Sequence, residues 1–379
     1  MIRTLLAVIA FAFIADNAAA QSQATPARAA LIVDVTTGAV LLEKNADEPL
    51  PPASMSKLMT LNMVFEALEQ GVLSMDDKFR TSKRAASMGG SKMFIREGEQ
   101  VSIENLLRGV IVQSGNDSAV ALAEALAGTE EAFAERMTDR ARDIGLTQST
   151  FANSTGWPHP DQRMSARDLL VLATRLITEF PELYKMFAET EFTWDGVKQN
   201  NRNPLLSLGV GADGLKTGHT EEAGYGLVAS AKRGDRRVVL VVSGLESSSD
   251  RRHEAERLIN WAFRAFDTRE LYAKGEGLID VPVWIGTKGS VTVAPERDVT
   301  ITAPHGTMDK AELRIRYDGP VPAPIAPGDQ IGYVEIQVPE FPPVRVPLVA
   351  IEGVDRGGFL SRIEAAGYLV LENITPDPG

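Results

Sequence analysis

Residues 51–60 read PPASMSKLMT, and the organisation of the chain follows from this stretch. Two prolines end an extended approach, and the run rich in Leu, Met and Ala behind them predicts a helix with Ser54 and Lys57 in its first turn. Residues three apart lie on one face of a helix, so the hydroxyl and the amine are predicted to be neighbours. A serine attacks a carbonyl only when a base removes its proton, and a lysine can be that base once a desolvated or cationic setting lowers its own pKa. The pair is a candidate nucleophile and base, although the same spacing is typical of a helix start with a surface lysine.

The composition limits the classes of function. With 379 residues, 44% of them hydrophobic and 24% charged, the chain is an ordinary globular protein long enough for two domains. A formal net charge of -12 without a long basic run argues against a nucleic-acid partner. The chain has no cysteine, which excludes thiol catalysis and disulfides, and its four histidines show no metal-binding spacing. We expect neither a metal nor another cofactor.

An export signal is predicted at residues 1–20. Arg3 precedes an apolar run from Leu5 to Ile14 that is too short to anchor the chain in a bilayer, and Ala18–Ala20 supply small residues before a cut ahead of Gln21. The protein is therefore expected to be exported to the periplasm.

Strands and helices are both predicted around the Ser54 stretch. Residues 30–44 form two apolar runs about a Thr-Thr-Gly turn, which predicts a hairpin ahead of Ser54. Apolar stripes predict helices over 102–127, 130–144, 166–179 and 255–266, the first interrupted by a polar loop at 113–118. Strands are predicted at 213–220, 225–231 and 237–244. The fold class is α/β (α+β), with an antiparallel sheet flanked by helices.

Two further motifs place polar residues on other elements. The one S-x-N of the chain, Ser114-Gly115-Asn116, lies in the polar loop, and the one K-T-G, Lys216-Thr217-Gly218, lies on a predicted strand. Alone, Asn116 fits a turn and Lys216 an exposed strand lysine. Together with S-x-x-K, the motifs bring side chains from three kinds of element toward one cleft, which chance seldom produces.

In these motifs the chain resembles the penicillin-recognising serine enzymes, whose signature is S-x-x-K, S-x-N or S-D-N, and K-T-G. Within that superfamily it looks most like the D-alanyl-D-alanine carboxypeptidases, the low-molecular-mass penicillin-binding proteins. The likeness includes SGNDSAVALAE at the second motif, KTGHT at the third, and a β-rich C-terminal part. It implies a β-lactamase/transpeptidase-like fold, peptidoglycan stem peptides as substrates and β-lactam antibiotics as covalent inhibitors.

The resemblance also implies catalytic roles. Ser54 would attack the carbonyl of the terminal D-Ala-D-Ala bond, Lys57 would act as general base, and an acyl-enzyme would form as D-alanine leaves. Ser114 and Lys216 would relay a proton to the leaving amine.

Substrate-binding roles are implied for the remaining motif residues. Asn116 would orient the substrate amide, and the K-T-G residues Lys216, Thr217 and Gly218 would line the strand side of the cleft. Lys216, Thr217 and Arg251 would hold the terminal carboxylate, although the adjacent Arg252 leaves the choice of arginine open. The backbone amides of Ser54 and His219 would form the oxyanion hole.

Three alternatives remain open. A β-lactamase shares the motifs, but class A enzymes use a glutamate-held water, and residues 151–168 contain no glutamate. A D,D-endopeptidase acting on cross-linked peptidoglycan would use the same residues, because pocket shape beyond the scissile bond decides between the two. A non-enzymatic wall-binding protein could keep the fold without turnover.

The C-terminal part is predicted as a separate domain. After residue 272, short alternating runs split by prolines and glycines predict a small all-β domain at 273–353, behind a peptidase domain at 21–272. Residues 354–379 are predicted as a tail. Many of these carboxypeptidases end in an amphipathic, cationic helix at the membrane surface, but residues 359–371 contain a single basic residue, Arg362, and their amphipathic character is modest. Peripheral contact with the inner membrane is therefore left open.

Overall fold

The computed structural model describes residues 24–339 and 341–358. The predicted export signal at 1–20 and most of the predicted tail at 354–379 lie outside the described residues. One compact unit runs to Thr268, and a second begins at Arg269.

The first unit is built on a five-stranded antiparallel sheet. The strands of the unit are β1 (Ala29–Asp34), β2 (Ala39–Lys44), β3 (Lys78–Arg80), β4 (Gln100–Ser102), β5 (Glu191–Trp194), β6 (Val197–Asn200), β7 (Ala212–Thr220), β8 (Gly224–Arg233) and β9 (Arg236–Leu245). The order in the main sheet is β2-β1-β9-β8-β7, which puts β7 at one edge, while β3–β4 and β5–β6 are separate hairpins. The predicted first hairpin is confirmed: Asp34 Oδ1 accepts the N–H of Thr36 at 3.0 Å, and Gly38 turns with a φ of 80°.

Helices surround this sheet. They are α1 (Lys57–Glu69), α2 (Lys83–Ala86), α3 (Ile103–Ile111), α4 (Asn116–Ala127), α5 (Glu130–Asp143), α6 (Ala166–Glu179), α7 (Pro181–Tyr184) and α8 (Ser248–Arg264). Five of them begin at a Ser or Thr whose side chain accepts a backbone N–H of the first turn: Ser82, Ser102, Thr129, Ser165 and Ser247. Each such cap stabilises its helix by about 1 kcal/mol.

Both faces of the sheet are buried. Val239 and Val241 of β9 belong to the core formed with α1, α3, α4 and α6. The alternate residues Val238, Leu240 and Val242 are also fully buried, and side chains alternate between faces along a strand. Helix α8 packs against β8 and β9, so it covers this second face. The unit is therefore a sheet between two helical layers, in agreement with the predicted fold class.

Two predicted helix bounds were wrong. The first helix begins at Lys57 instead of Ser54, because Ala53 has a φ of 47° and residues Ala53–Ser56 form a separate 3₁₀ turn. The last helix, predicted at 255–266, starts earlier at the cap Ser247 and ends at Arg264, since Phe266 already lies in a strand.

The second unit is β-rich. Strand β10 (Phe266–Tyr272) leads into it, and the others are β11 (Ile279–Trp284), β12 (Ser290–Pro295), β13 (Val299–Pro304), β14 (Glu312–Tyr317), β15 (Val321–Pro322), β16 (Gln330–Gln337) and β17 (Val344–Ala350). Six of them form a sheet in the order β14-β16-β17-β12-β11-β15, and β10 pairs with β13. Residues 269–339 and 341–358 contain one 3₁₀ turn, Met308–Lys310, and no α-helix. This is the all-β domain that the sequence predicts.

Among the described residues, no helix is both long enough and apolar enough to cross a membrane.

Candidate active site

Ser54 lies in the 3₁₀ turn that precedes α1, and its side chain is half-buried. The turn packs against β7 at Gly218. A Cβ atom at Gly218 would lie 2.8 Å from the carbonyl oxygen of Pro52 and 3.2 Å from the Cβ of Ala53. Only glycine therefore allows β7 to pack this close to the 3₁₀ turn that contains Ser54, here called the nucleophile turn. Gly218, which the sequence places with the substrate-binding residues, thus sets the spacing between Ser54 and the strand.

Lys57 is fully buried and points its amine at Ser54. Its Nζ lies 2.8 Å from Ser54 Oγ, 2.7 Å from Asn116 Oδ1 and 2.6 Å from the carbonyl oxygen of Thr155. Burial lowers the pKa of Lys57 to about 7, against the opposing charges of Asp117 and Glu130. In the neutral amine, two N–H groups can donate to Asn116 and Thr155, which leaves the lone pair for the hydroxyl proton of Ser54.

The second motif forms the turn between α3 and α4. Ser114 has a φ of 61°, in the left-handed region that a serine seldom adopts. Gly115 precedes the first residue of α4, Asn116, whose Nδ2 donates to the carbonyl oxygen of Gly89 at 2.8 Å. The strained turn directs Ser114 toward the third motif, while Asn116 faces Lys57.

Lys216 of β7 completes a second amine–hydroxyl pair. Its Nζ donates to Ser114 Oγ at 2.8 Å and to the carbonyl oxygen of Thr217 at 3.2 Å. Burial, followed by the positive charges of Lys57, Arg251 and Arg202, lowers the pKa of Lys216 well below its usual value. The site therefore contains two serine–lysine pairs, Ser54–Lys57 and Ser114–Lys216. In each pair the serine hydroxyl contacts a buried amine whose pKa is lowered.

The end of β7 carries the other predicted binding residues. Thr217 is buried, whereas His219 is exposed, and its ring stacks on Tyr225 with ring centroids 3.8 Å apart. The guanidinium of Arg251 lies 5.6 Å from the centroid of the same Tyr225 ring. The buried Nε of Arg251 has no hydrogen-bond partner among the residues that the structure describes. A donor left unpaired in this way suits an anion, and it favours Arg251 over the exposed Arg252.

The sequence analysis missed four residues that contact Lys57 or affect the pKa of Lys57 or Lys216. The Thr155 carbonyl has no side-chain signature, and Arg202 lies in a loop after β6 without a motif. Asp117 adjoins the S-x-N motif, so its position was a usable signal, but Glu130 approaches Lys57 only through the tertiary fold. No cluster of three metal-binding side chains occurs within 24–339 and 341–358.

The backbone amides of Ser54 and His219 remain a predicted oxyanion hole. They belong to the 3₁₀ turn and to β7, two elements that pack together. A serine hydroxyl in contact with a buried lysine amine, together with a second serine–lysine pair on a helix-flanked antiparallel sheet, defines the class of protein, a serine enzyme.

Comparison with known proteins then gives the family. Residues 16–247 match the D-alanyl-D-alanine carboxypeptidase family, and residues 266–356 match the C-terminal domain of penicillin-binding protein 5. The chain belongs to the D-alanyl-D-alanine carboxypeptidase family, whose members are serine peptidases of the cell wall that bind penicillin.

Relatives and solved structures agree along most of the chain. The chain is 37% identical to D-alanyl-D-alanine carboxypeptidase DacC of Escherichia coli, over 96% of its own length and 94% of the relative. It is 34% identical to DacF of Bacillus subtilis, over 91% and 90%.

Penicillin-binding protein 5 of Haemophilus influenzae superposes with a TM-score of 0.81 at 35% identity, covering 87% of this chain and 98% of that one. Penicillin-binding protein D2 of Listeria monocytogenes, solved in an ampicillin-bound form, superposes with a TM-score of 0.58 at 32% identity, covering 63% and 98%. The predicted serine-type D-Ala-D-Ala carboxypeptidase is confirmed at the level of the family.

Proposed function

We propose that this protein removes the terminal D-alanine from peptidoglycan stem pentapeptides, with Ser54 as nucleophile and Lys57 as general base. The observation that carries the proposal is the 2.8 Å contact between Ser54 Oγ and a buried amine whose pKa is about 7. A base with this pKa is about half neutral at neutral pH and can still hold a proton once it has accepted one.

The acylation step follows from this geometry. The neutral Nζ of Lys57 takes the hydroxyl proton of Ser54 while Oγ attacks the carbonyl carbon of the penultimate D-alanine, and a C–O bond forms. Backbone amides of Ser54 and His219 stabilise the negative oxygen by roughly 3 kcal/mol for each donor. The C–N bond then breaks, and the Ser114–Lys216 pair delivers a proton to the departing amine, which leaves as D-alanine.

Hydrolysis restores the enzyme. The proton that Lys57 gained in acylation first passes to the Ser114–Lys216 pair, which replaces the proton given to D-alanine and leaves Lys57 neutral. A water molecule then attacks the Ser54 ester and gives a proton to Lys57. Lys57 passes this proton to Ser54 Oγ as the ester C–O bond breaks and the shortened stem peptide leaves. The same reasoning makes β-lactams covalent inhibitors, because opening their ring leaves no departing group and the ester stays on Ser54.

The residues that would select a chain end are the positively charged Arg251 and Lys216 and the neighbouring Thr217. Arg251, with its unpaired buried Nε, would bind the terminal carboxylate together with Thr217 and Lys216. A charge-assisted hydrogen bond of this kind contributes about 1.5–3 kcal/mol. Asn116, held by Gly89, would orient the peptide amide on the opposite side.

The test is D-alanine release from a synthetic peptide ending in Lys-D-Ala-D-Ala, measured with residues 21–379 and with Ser54→Ala as control. We expect release by the wild type and loss of about four orders of magnitude or more in the folded control. No release from folded wild type, together with cleavage of a cross-linked muropeptide dimer, would replace the carboxypeptidase by an endopeptidase.

Export to the periplasm is proposed from residues 1–20. The supporting features are Arg3, the apolar run from Leu5 to Ile14 and the small residues before Gln21. N-terminal sequencing of the protein recovered from the periplasmic fraction should begin at Gln21. An N-terminus at Met1 would contradict cleavage, and retention in the membrane pellet through a high-salt wash would show tight membrane attachment.

A further inference from the structure

A buried carboxylate lies directly behind the catalytic cleft at Asp117. The side chain has no exposed surface, and its oxygens accept the backbone N–H groups of Met93, Phe94 and Ile95 at distances from 2.8 to 3.2 Å. One of these residues, Phe94, has a φ of 69° and an exposed ring. Three amides that converge on one carboxylate fasten the 91–95 segment to the start of α4.

Gly89 and Ser91, just before and at the start of the fastened segment, hold Asn116. The carbonyl oxygen of Gly89 accepts the Nδ2 of Asn116 at 2.8 Å, and the carbonyl oxygen of Ser91 accepts its backbone N–H at 2.8 Å. These contacts fix the side-chain amide, so that Oδ1 faces the Nζ of Lys57 at 2.7 Å. Asp117 thus sets the position of Asn116 Oδ1, one of the two oxygens that contact the Lys57 amine in addition to Ser54 Oγ.

A second buried carboxylate, Glu130, holds the segment that carries the other oxygen, the carbonyl oxygen of Thr155. Its Oε1 accepts the N–H of Ser154 at 3.2 Å and the hydroxyl of Ser154 at 2.8 Å, while Oε2 accepts from Arg84 at 2.8 Å. The segment held in this way presents two carbonyl oxygens to α1: that of Ser154 accepts the hydroxyl of Thr60 at 2.7 Å, and that of Thr155 accepts Lys57 at 2.6 Å.

Both carboxylates also act on Lys57 by charge. They raise the pKa of Lys57 against the lowering that burial imposes. The charged groups that act on the amine or contact its neighbours are Asp117 on α4, Glu130 on α5 and Lys216 on β7. A general base must be neutral to accept a proton and basic enough to keep it. The two nearby carboxylates, which do not contact the amine directly, help Lys57 to keep the proton.

We propose that Asp117 and Glu130 are positioning residues for Lys57, each fastening one of the two oxygens, Asn116 Oδ1 and Thr155 O, against its amine. The proposal rests on the proposed function, because it assigns their roles through the general base. Neither carboxylate has to touch the substrate.

The first measurement is the pH dependence of acylation by a fluorescent penicillin in Asp117→Asn and Glu130→Gln. Both substitutions keep the shape of the side chain and remove one negative charge near Lys57. The acid limb of the rate should shift to lower pH by about half a unit or more in each variant. Glu124→Gln is the matched control: it removes a carboxylate of α4 whose hydrogen bond goes to Ser82, and its limb should stay with the wild type.

The second measurement is amide hydrogen exchange, which a loss of charge alone would not move. Asp117→Asn should speed exchange at Met93–Ile95 and leave Ser154 as it is, whereas Glu130→Gln should do the reverse. If Asp117→Asn does not fold, Glu130→Gln alone carries both measurements.

Two results would overturn the proposal. An acid limb that coincides with the Glu124→Gln control in a folded variant excludes an effect on Lys57. A shifted limb with unchanged exchange at both segments excludes positioning and leaves charge alone. D-alanine release by the wild type is measured in the same preparations, so a failure of the proposed function is seen separately.

Discussion

Lys216 Nζ lies 2.8 Å from Ser114 Oγ, and these two side chains come from a strand and a turn 102 residues apart in the chain. Their contact repeats the 2.8 Å contact of Lys57 with Ser54 on the other side of the cleft. Because a hydroxyl held by a buried amine can pass a proton in either direction, we expect Ser114 and Lys216 to act as one unit.

A double-mutant cycle tests that unit. Ser114→Ala and Lys216→Ala should each slow D-alanine release by about 10²–10³-fold, since either one interrupts delivery of the proton to the leaving amine. The double variant should be little slower than the worse single variant. Rates that multiply would show that the two residues contribute independently, and circular dichroism of each variant checks that the fold is kept.

The activity should fall in mild acid because of Lys57. Its pKa is lowered to about 7, so the neutral base is lost as the pH drops through that value. The second-order rate of acylation by a fluorescent penicillin should decline about tenfold per pH unit below the midpoint and level off above it. A rate that keeps rising to about pH 10, where an ordinary lysine titrates, would contradict a lowered pKa.

Arg251 and Arg252 form a natural pair of test and control. Arg251→Ala should lower kcat/KM by about 10- to 100-fold for a peptide with a free terminal carboxylate, because one charge-assisted contact is lost. Arg252 is exposed, and Arg252→Ala should leave the activity unchanged. A C-terminal amide of the same peptide should be insensitive to both substitutions. Equal losses of kcat/KM in the two variants would show that the positive charge at the start of α8 matters, and that Arg251 makes no specific contact with the carboxylate.

Gly156 and Gly128 test how tightly the nucleophile turn is held. Both have a φ of 80°, but a Cβ atom at Gly156 would lie 1.9 Å from the carbonyl oxygen of Ala53, whereas nothing lies within 4 Å at Gly128. Gly128→Ala should therefore cost only the left-handed strain, about 1–2 kcal/mol of unfolding free energy, with acylation kept.

Gly156→Ala should in addition push the loop away from Ser54 and Lys57 and abolish labelling by fluorescent penicillin. The melting temperature of each variant gives the stability, and labelling of protein that remains folded gives the effect on the site. Normal labelling of Gly156→Ala would show that the loop can move without harm.

The main elements of the fold could be predicted because their signals are local. Four helices carry apolar side chains at the helical period, and the hairpin at 30–44 and the strands at 225–231 and 237–244 are apolar runs. The hairpins β3–β4 and β5–β6 were missed, since short and largely exposed strands leave no such pattern. The early start of α8 was also missed because its first turns, Ser248–Arg252, are polar.

The candidate site divides in the same way. Motif residues carry side-chain chemistry that can be recognised in the sequence, and the structure brings Ser54, Lys57, Ser114, Asn116 and Lys216 together. The carbonyl of Thr155 cannot be recognised, because every residue has one and only the path of the chain selects it. The lowered pKa of Lys57 likewise depends on burial, which no spacing of residues reveals.

Strand β7 lies at the edge of its sheet, and this position has a consequence for what the cleft can tolerate. An edge strand offers peptide N–H and C=O groups, which every amino acid possesses, as partners for a ligand in extended form. A stem peptide lying along it would be gripped mainly by atoms that do not vary with its composition. The specificity of the enzyme would then depend mainly on the end of the peptide chain. Organisms whose walls contain different cross-bridging residues could share one enzyme architecture.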